Sequence, residues 1–163
     1  MIAYTEESIV TLERKYYAIA GLVAITLYFG YEISRYFTQN YFSTMGIGYS
    51  ILFYILWGWK CLPKYTYTLT DTEMIFITDY KFFVLKKVVK LEDIESFSNN
   101  YIKKFFKKTK ISRYYYRYNF TDGRPERLIA FKRNNKLAGI IFKCSDKMIK
   151  KLQEKMPERF IKF

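Results

Sequence analysis

The sequence predicts an α+β membrane protein in which an amino-terminal transmembrane helical hairpin precedes an antiparallel β-barrel or sandwich closed by a carboxy-terminal helix. Three observations lead to this fold class. Two uncharged segments lie within the first sixty residues, a two-residue hydrophobic period begins after Pro63, and helical spacing returns after Ser145. We place the domain boundary between residues 1 to 59, the hairpin, and residues 60 to 163, the second domain.

The charge is distributed unevenly between these two parts. The chain has 163 residues and a formal net charge of +13, but residues 1 to 59 sum to −1 and residues 60 to 163 sum to +14. Aromatic residues make up 21% of the chain, which favours contact with a lipid interface. There is no histidine, so the commonest general base, proton switch and metal ligand are all absent from the chain.

The first predicted span begins with the uncharged segment "YYAIAGLVAITLYFGY" at residues 16 to 31. These sixteen residues would extend only about 24 Å as a helix, which is shorter than the hydrocarbon core of a bilayer. We therefore extend the helix to about residue 36. Glu32 and Arg35 then share one helical face and can pair at the membrane boundary.

The second predicted span covers residues 43 to 59, within a run of twenty-four residues that carry no charge. The residues that we expect at the membrane interface are Tyr16, Tyr17, Trp57, Trp59, Lys60 and Lys64. The alternative, two buried helices of a soluble fold, does not explain the terminal tryptophans and the lysines that follow them. A cleaved signal peptide is disfavoured, because three glutamates precede the first span and no small-residue cleavage site follows it.

The orientation of the hairpin follows from the positive-inside rule. Arg14, Lys15, Lys60 and the basic second domain are expected in the cytoplasm, so both termini lie there and the protein is a multi-pass protein of the cell membrane. Only a short loop at residues 37 to 42 would be exposed outside.

Seven strands are predicted in the second domain. In the first of them Tyr65, Tyr67 and Leu69 form the buried face, and Asp122-Gly123 is expected to form a tight turn between the fifth and sixth strands. The predicted strands are residues 64 to 69, 74 to 78, 82 to 90, 91 to 97, 111 to 120, 127 to 132 and 137 to 144.

The carboxy-terminal helix is predicted from its cap and its periodicity. Ser145 is a suitable N-cap and Asp146 suits the first turn. The apolar positions Met148, Ile149, Leu152 and Met156 recur at helical spacing, with lysines between them, so we expect an amphipathic helix that covers the sheet.

The element order of seven strands and a terminal helix resembles a pleckstrin-homology-like (PH-like) barrel. Over nearly its full length the chain also resembles small bacterial membrane proteins in which two spans precede a bacterial PH-like domain. The segments that carry this resemblance are "WKCLPKYTYTLTDTEMIFI", "VVKLEDIESF" and "SDKMIKKLQEKMPERF". Some of these proteins confer self-immunity on producers of leaderless or sublancin-like bacteriocins, and the family implies no shared catalytic residues.

The segment from residue 101 to residue 118 carries seven positive and no negative side chains, interspersed with aromatic residues. A short helix here could lie flat on an anionic phospholipid membrane, with its phenylalanines at the acyl boundary and its lysines among the headgroups. The residues predicted to bind lipid are Lys103, Lys104, Phe105, Phe106, Lys107, Lys108, Lys110, Arg113 and Arg117. The alternative is that both phenylalanines are core residues and the lysines form a solvated face. Nucleic acid ranks lower as a partner, because no recognised nucleic-acid-binding motif is present.

No catalytic, metal or cofactor site is predicted. Glu92, Asp93 and Glu95 cluster without a metal partner, and a turn before a strand explains them. Cys61 and Cys144 are far apart and form no CxxC motif; Cys61 is either an acylation site or a thiol without a special role. We therefore interpret the protein as non-enzymatic, with two hypotheses for its function. One is self-immunity to a membrane-active, cationic bacteriocin peptide, and the other is an anionic-lipid-binding or adaptor module of the cell envelope.

Overall fold

The computed structural model describes residues 2–101 and 111–162, with side chains from Tyr4 onward. Over these residues the chain is α+β, with a long apolar helix near the amino terminus and strands arranged in two sheets. The helices are α1 (Leu12–Gln39), α2 (Thr44–Cys61) and α3 (Asp146–Lys155). The strands are β1 (Ile2–Glu7), β2 (Lys64–Thr70), β3 (Glu73–Asp79), β4 (Val84–Lys90), β5 (Ile94–Ser98), β6 (Arg113–Arg117), β7 (Glu126–Arg133), β8 (Lys136–Lys143) and β9 (Phe160–Ile161), with 3₁₀ turns at Leu91–Asp93 and Pro157–Arg159.

Helix α1 extends beyond the predicted residues 16 to 36 at both ends, and its C-cap is Asn40, which adopts the left-handed conformation with φ of 53°. Among the described residues it is the one helix whose length and hydropathy would allow it to cross a membrane, and little of it is buried in the protein. Helix α2 closely matches the predicted residues 43 to 59, but it does not meet the same criterion.

The first sheet has the strand order β1-β2-β3-β4, and all its neighbours are antiparallel. Residues 2 to 7, which the sequence analysis grouped with the helical hairpin, thus form a strand beside β2. In β2 the side chains of Tyr65, Tyr67 and Leu69 are buried, which confirms the predicted inward face.

The second sheet has the order β6-β8-β7-β5-β9 and is mixed, because β6 is parallel to β8 and β5 is parallel to β9. The expectation of a purely antiparallel domain is therefore wrong. The two sheets also do not join into a closed barrel over the described residues. Strand β8 separates β6 from β7, so Asp122-Gly123 is not a hairpin turn, and no described glycine has a positive φ.

The core lies between the two sheets and is covered by α3. Tyr67 and Phe76 from the first sheet pack edge-on against Phe142 from the second, each with ring centroids 5.3 Å from that of Phe142. The predicted apolar stripe of α3 is buried in the same core, and the Ser145 hydroxyl caps the helix by accepting a hydrogen bond from the Met148 amide. The prediction of an amphipathic terminal helix is confirmed.

A buried network of charged groups fixes β1 to the rest of the domain. The Arg124 guanidinium pairs with Glu6 of β1 and, at 2.6 Å, with the fully buried carboxylate of Asp122. Glu6 also accepts hydrogen bonds from the amide and hydroxyl of Ser145, at 2.8 and 2.6 Å. The network thus connects the first strand, the segment before β7 and the start of α3.

Candidate lipid-binding site

The two long helices pack side by side and run in opposite directions. The Trp57 indole donates a hydrogen bond to the Ala18 carbonyl at 2.8 Å near one end, and the Tyr54 hydroxyl contacts the Thr26 hydroxyl at 2.9 Å further along. At the other end the side chain of Glu32 lies directly against Gly46. Because helix-to-helix contact uses only one side of each helix, the remaining surface of the pair is largely apolar and exposed.

The end of the helix pair that is remote from the sheets contains the buried carboxylate of Glu32. It pairs with Arg35 at 3.8 Å, as the sequence indicated. The Arg35 guanidinium also lies over the rings of Tyr31 and Tyr41, at 5.7 and 4.4 Å. The positive charge of the pair is therefore partly shielded by aromatic rings.

The other end of the helix pair is hydrogen-bonded to the segment that connects β6 to β7. The Asn119 side chain donates hydrogen bonds to the carbonyls of Cys61 and Pro63, at 3.1 and 2.8 Å, directly after α2. The Phe120 amide donates to the Lys60 carbonyl at 3.1 Å. Hydrogen bonds to backbone carbonyls therefore connect the helix pair to the domain, in place of a flexible linker.

The residues expected at the membrane interface occupy this attached end. Tyr16, Tyr17, Trp59, Lys60 and Lys64 are all exposed there. Trp57 differs, because its indole nitrogen is engaged with Ala18 between the helices. Its place in the structure is at the helix-to-helix contact.

Next to this end a cleft opens between the β4 edge of the first sheet and the β6 edge of the second. We call it the tyrosine cleft; its volume is about 340 Å³. It is lined by Trp59, Lys60, Tyr65, Tyr80, Leu85, Tyr114, Tyr115, Tyr116, Arg117 and Tyr118. None of these ten residues carries a carboxylate.

Arg117 lies at the floor of the tyrosine cleft. Its guanidinium donates to the Thr78 hydroxyl at 3.2 Å, while its Nε atom is buried and has no acceptor among the described residues. Burial raises the pKa of Tyr118 to about 12 and also raises the pKa of Tyr65, so both phenols stay neutral at physiological pH. The cleft thus offers positive charge, hydroxyl donors and aromatic faces, which are the groups that suit a phosphate headgroup.

Arg113 does not lie in the tyrosine cleft. It lines a separate cavity of about 530 Å³ near the β7–β8 turn, together with Arg133, Lys136 and Tyr115. Burial by itself would raise the pKa of Tyr115. A hydrogen bond from Arg113 and the positive charge of Arg133 act in the opposite direction and outweigh burial, so the pKa of Tyr115 is lowered. Arg113 and Arg117, which the sequence analysis assigned to one surface, thus line two cavities that share Tyr115.

The other residues predicted to bind lipid, between Lys103 and Lys110, lie outside the described residues. The acidic cluster is described: Glu92 pairs with Lys90 at 3.2 Å and Glu95 pairs with Lys132. Over residues 2–101 and 111–162, no group of three histidine, cysteine, aspartate or glutamate side chains could hold a metal ion.

Three residues of this region were not identified from the sequence. Tyr80 and Leu85 complete the cleft from the β3–β4 hairpin, and Lys87 of β4 lies over the Tyr115 ring at 5.5 Å. A sign was present in the sequence, since "YKFFVLKK" combines aromatic residues and lysines as residues 101 to 118 do. What the sequence did not reveal was that β4 and β6 face each other.

No family model, curated protein or solved structure matches the chain.

Proposed function

We propose that this is a non-enzymatic protein of the cell membrane whose two helices span the bilayer as a hairpin, with both termini in the cytoplasm. Its basic domain would then lie against the inner leaflet and bind the headgroups of anionic phospholipids. The observation that carries this proposal is the position of the tyrosine cleft, with Lys60 and Arg117, beside the end of an exposed apolar helix pair. The domain itself is proposed to be of the PH-like type.

The physiological role that we propose for this lipid binding is self-immunity against a membrane-active bacteriocin of the leaderless type. A cationic peptide that has reached the inner leaflet needs anionic headgroups to accumulate there, and a cationic domain on that leaflet competes for the same headgroups. The resemblance noted in the sequence supports this role. An adaptor that organises other envelope proteins is the second candidate, and its support is the same membrane-proximal position of an open cleft.

Lipid selectivity of the full-length chain in mixed vesicles tests the molecular function. Spin-labelled phosphatidylglycerol should associate more strongly than spin-labelled phosphatidylcholine. Each lysine near an anionic surface contributes about 1 kcal/mol, so changing Lys60→Gln and Lys87→Gln together should lower this preference by up to about 30-fold.

The control for this experiment is Lys150→Gln with Lys151→Gln, on the exposed face of α3. The preference should also weaken at high salt, because the screening length falls from about 10 Å at 0.1 M to about 3 Å at 1 M. Equal association of the two lipids with the unmodified protein would refute the proposal.

Inhibitory concentrations of leaderless bacteriocins against a sensitive strain that expresses the chain test the physiological role. Protection is expected, together with its loss in the Lys60→Gln, Lys87→Gln variant and its retention in the α3 control. Unchanged sensitivity to every peptide of the class would exclude immunity and leave the adaptor role.

A further inference from the structure

The turn between β3 and β4 presents a phenylalanine outward. The Tyr80 amide donates a hydrogen bond to the Phe83 carbonyl at 3.1 Å, and the Asp79 carboxylate accepts one from the Lys81 amide at 2.7 Å. Lys81 has a positive φ of 68°, which a non-glycine residue adopts only at some cost. These contacts hold the turn in one conformation, with Phe82 at its end.

This turn forms an exposed apolar surface, which we call the aromatic tip and define as residues 80 to 85. Phe82 is 96% exposed, which is the largest exposed fraction of any large hydrophobic residue in the described part of the chain. Phe83, Val84 and Leu85 beside it are exposed as well. A contiguous group of this kind is typical of a surface that contacts a partner or a membrane.

The aromatic tip lies at the level where α2 ends. The Tyr80 ring contacts the Trp59 ring, with 5.4 Å between centroids, and stacks on Phe83 at 4.7 Å. Leu62, directly after α2, and Ile9 and Val10, directly before α1, are more than half exposed. Apolar side chains therefore occur at three places around the attached end of the helix pair, as they would around the plane of a membrane surface.

The charges around the aromatic tip favour an anionic partner. Lys81 lies within the tip and Lys86 directly follows it, and both are exposed, while Lys60 of α2 lines the tyrosine cleft together with Tyr80. The nearest carboxylate in the chain, Asp79, is engaged in the turn. A second copy of the chain that docked tip to tip would bring these lysines against each other, whereas anionic headgroups would neutralise them.

We propose that the aromatic tip inserts Phe82 into the acyl boundary of the bilayer leaflet that faces the domain, with Lys81 and Lys86 among the headgroups. The inference rests on the proposed membrane anchoring and adds a contact with lipid beyond the helices, next to the tyrosine cleft that Tyr80 and Leu85 of the tip help to line. Together with the helix pair, this contact fixes the tilt of the domain on the membrane.

Spin labels on the full-length chain in phosphatidylcholine–phosphatidylglycerol vesicles test the insertion. The background variant is Cys61→Ser, in which the fully buried Cys144 is the remaining cysteine. Phe82→Cys carries the label of interest, and Phe53→Cys, on the exposed surface of α2, is the lipid reference. Glu92→Cys is the aqueous reference, because it follows β4 at the end opposite the tip, about 20 Å away.

The label at position 82 should be relaxed by dissolved oxygen and protected from an aqueous nickel chelate. The same behaviour is expected of the label at position 53. The tip inference is overturned if position 82 is as accessible to nickel as position 92 while position 53 is protected. It is also overturned by dipolar broadening between two labels at position 82, which would assign the tip to a contact between copies. Nickel access at position 53 itself would instead refute the membrane anchoring on which the inference rests.

Discussion

Replacing Arg124 by methionine should destabilise the domain by an amount that the buried network allows us to estimate. The side chain of Arg124 is only 12% exposed and is paired with Glu6 and with the fully buried Asp122. Methionine retains much of the apolar part of the side chain but removes the charge. Two carboxylates then stay in a largely buried site without their guanidinium.

Removal of one partner from a buried ion pair costs about 3–5 kcal/mol. The lower end applies here, because Glu6 keeps its hydrogen bonds from Ser145 and Asp122 keeps those from the backbone amides of Ile9 and of residue 124, at 3.3 and 3.0 Å. For a chain of this size about 1 kcal/mol lowers Tm by about 2–4 °C, so we expect Arg124→Met to lower Tm by roughly 6–12 °C.

Thermal unfolding of the full-length chain in one detergent, followed by circular dichroism, measures this shift. The matched control is Lys151→Met, because Lys151 pairs with Glu154 at 3.0 Å in an exposed position, where an ion pair contributes about 0–1 kcal/mol. Glu6→Gln should cost less when Arg124 is already methionine than when it is present, since the two residues are coupled. If Arg124→Met and Lys151→Met shift Tm equally, the network does not stabilise the fold as we argue.

Two further predictions concern the helix pair and the buried thiol. A Cβ atom added to Gly46 would overlap the Cδ atom of the buried Glu32 carboxylate, so Gly46→Leu should lower Tm by several degrees. Gly48→Leu should leave Tm unchanged or raise it, because nothing lies within 4 Å of that position and leucine is the better helix former; equal effects of the two changes would contradict the helix contact described above. Burial raises the pKa of Cys144 from 9.0 to about 12, which lowers its thiolate fraction at pH 8 about a thousandfold. In a Cys61→Ser variant, a thiol reagent at pH 8 should therefore modify Cys144 only after denaturation, and modification of the native protein would show that this site is open.

The elements that the sequence predicted well are those whose signal is local. The alternation in β2 and the helical spacing after Ser145 indicated buried faces that the structure reproduces, because one amphipathic element defines its own inner side. The apolar run of α1 marked the helix but not its ends. Glu13 and Arg14 suit a helix as well as apolar residues do, so the helix begins at Leu12.

The pairings between distant segments could not be predicted from local signals. Strand β1 reads "IAYTEE", with two acidic residues, and its partner β2 follows only after both long helices. Asp122-Gly123 has the composition of a hairpin turn, yet the Asp122 carboxylate is held by Arg124 and the chain crosses over to leave β6 parallel to β8. Parallel neighbours need such a crossover, which no turn motif announces.

The sequence pointed to one residue of the candidate cleft but not to the way in which the cleft is built. Arg117 was identified from the basic and aromatic pattern around it, and it lies in the tyrosine cleft. The contribution of Tyr80 was missed, because it comes from a hairpin more than thirty residues earlier in the chain. The cleft exists because the two sheets fail to close between β4 and β6, and that gap depends on the whole topology.

The pairing of β1 with β2 has a consequence for the order of events during synthesis. On the ribosome β1 is made before its hydrogen-bonding partner β2, which appears only after both long helices have been completed. The first strand must therefore wait without its neighbour while the apolar helices leave the exit tunnel. The first sheet can therefore close only after both helices are made. Pairing of β1 with β2 requires that α1 and α2 run in opposite directions, because this brings the chain back to the end of the helix pair where β1 lies.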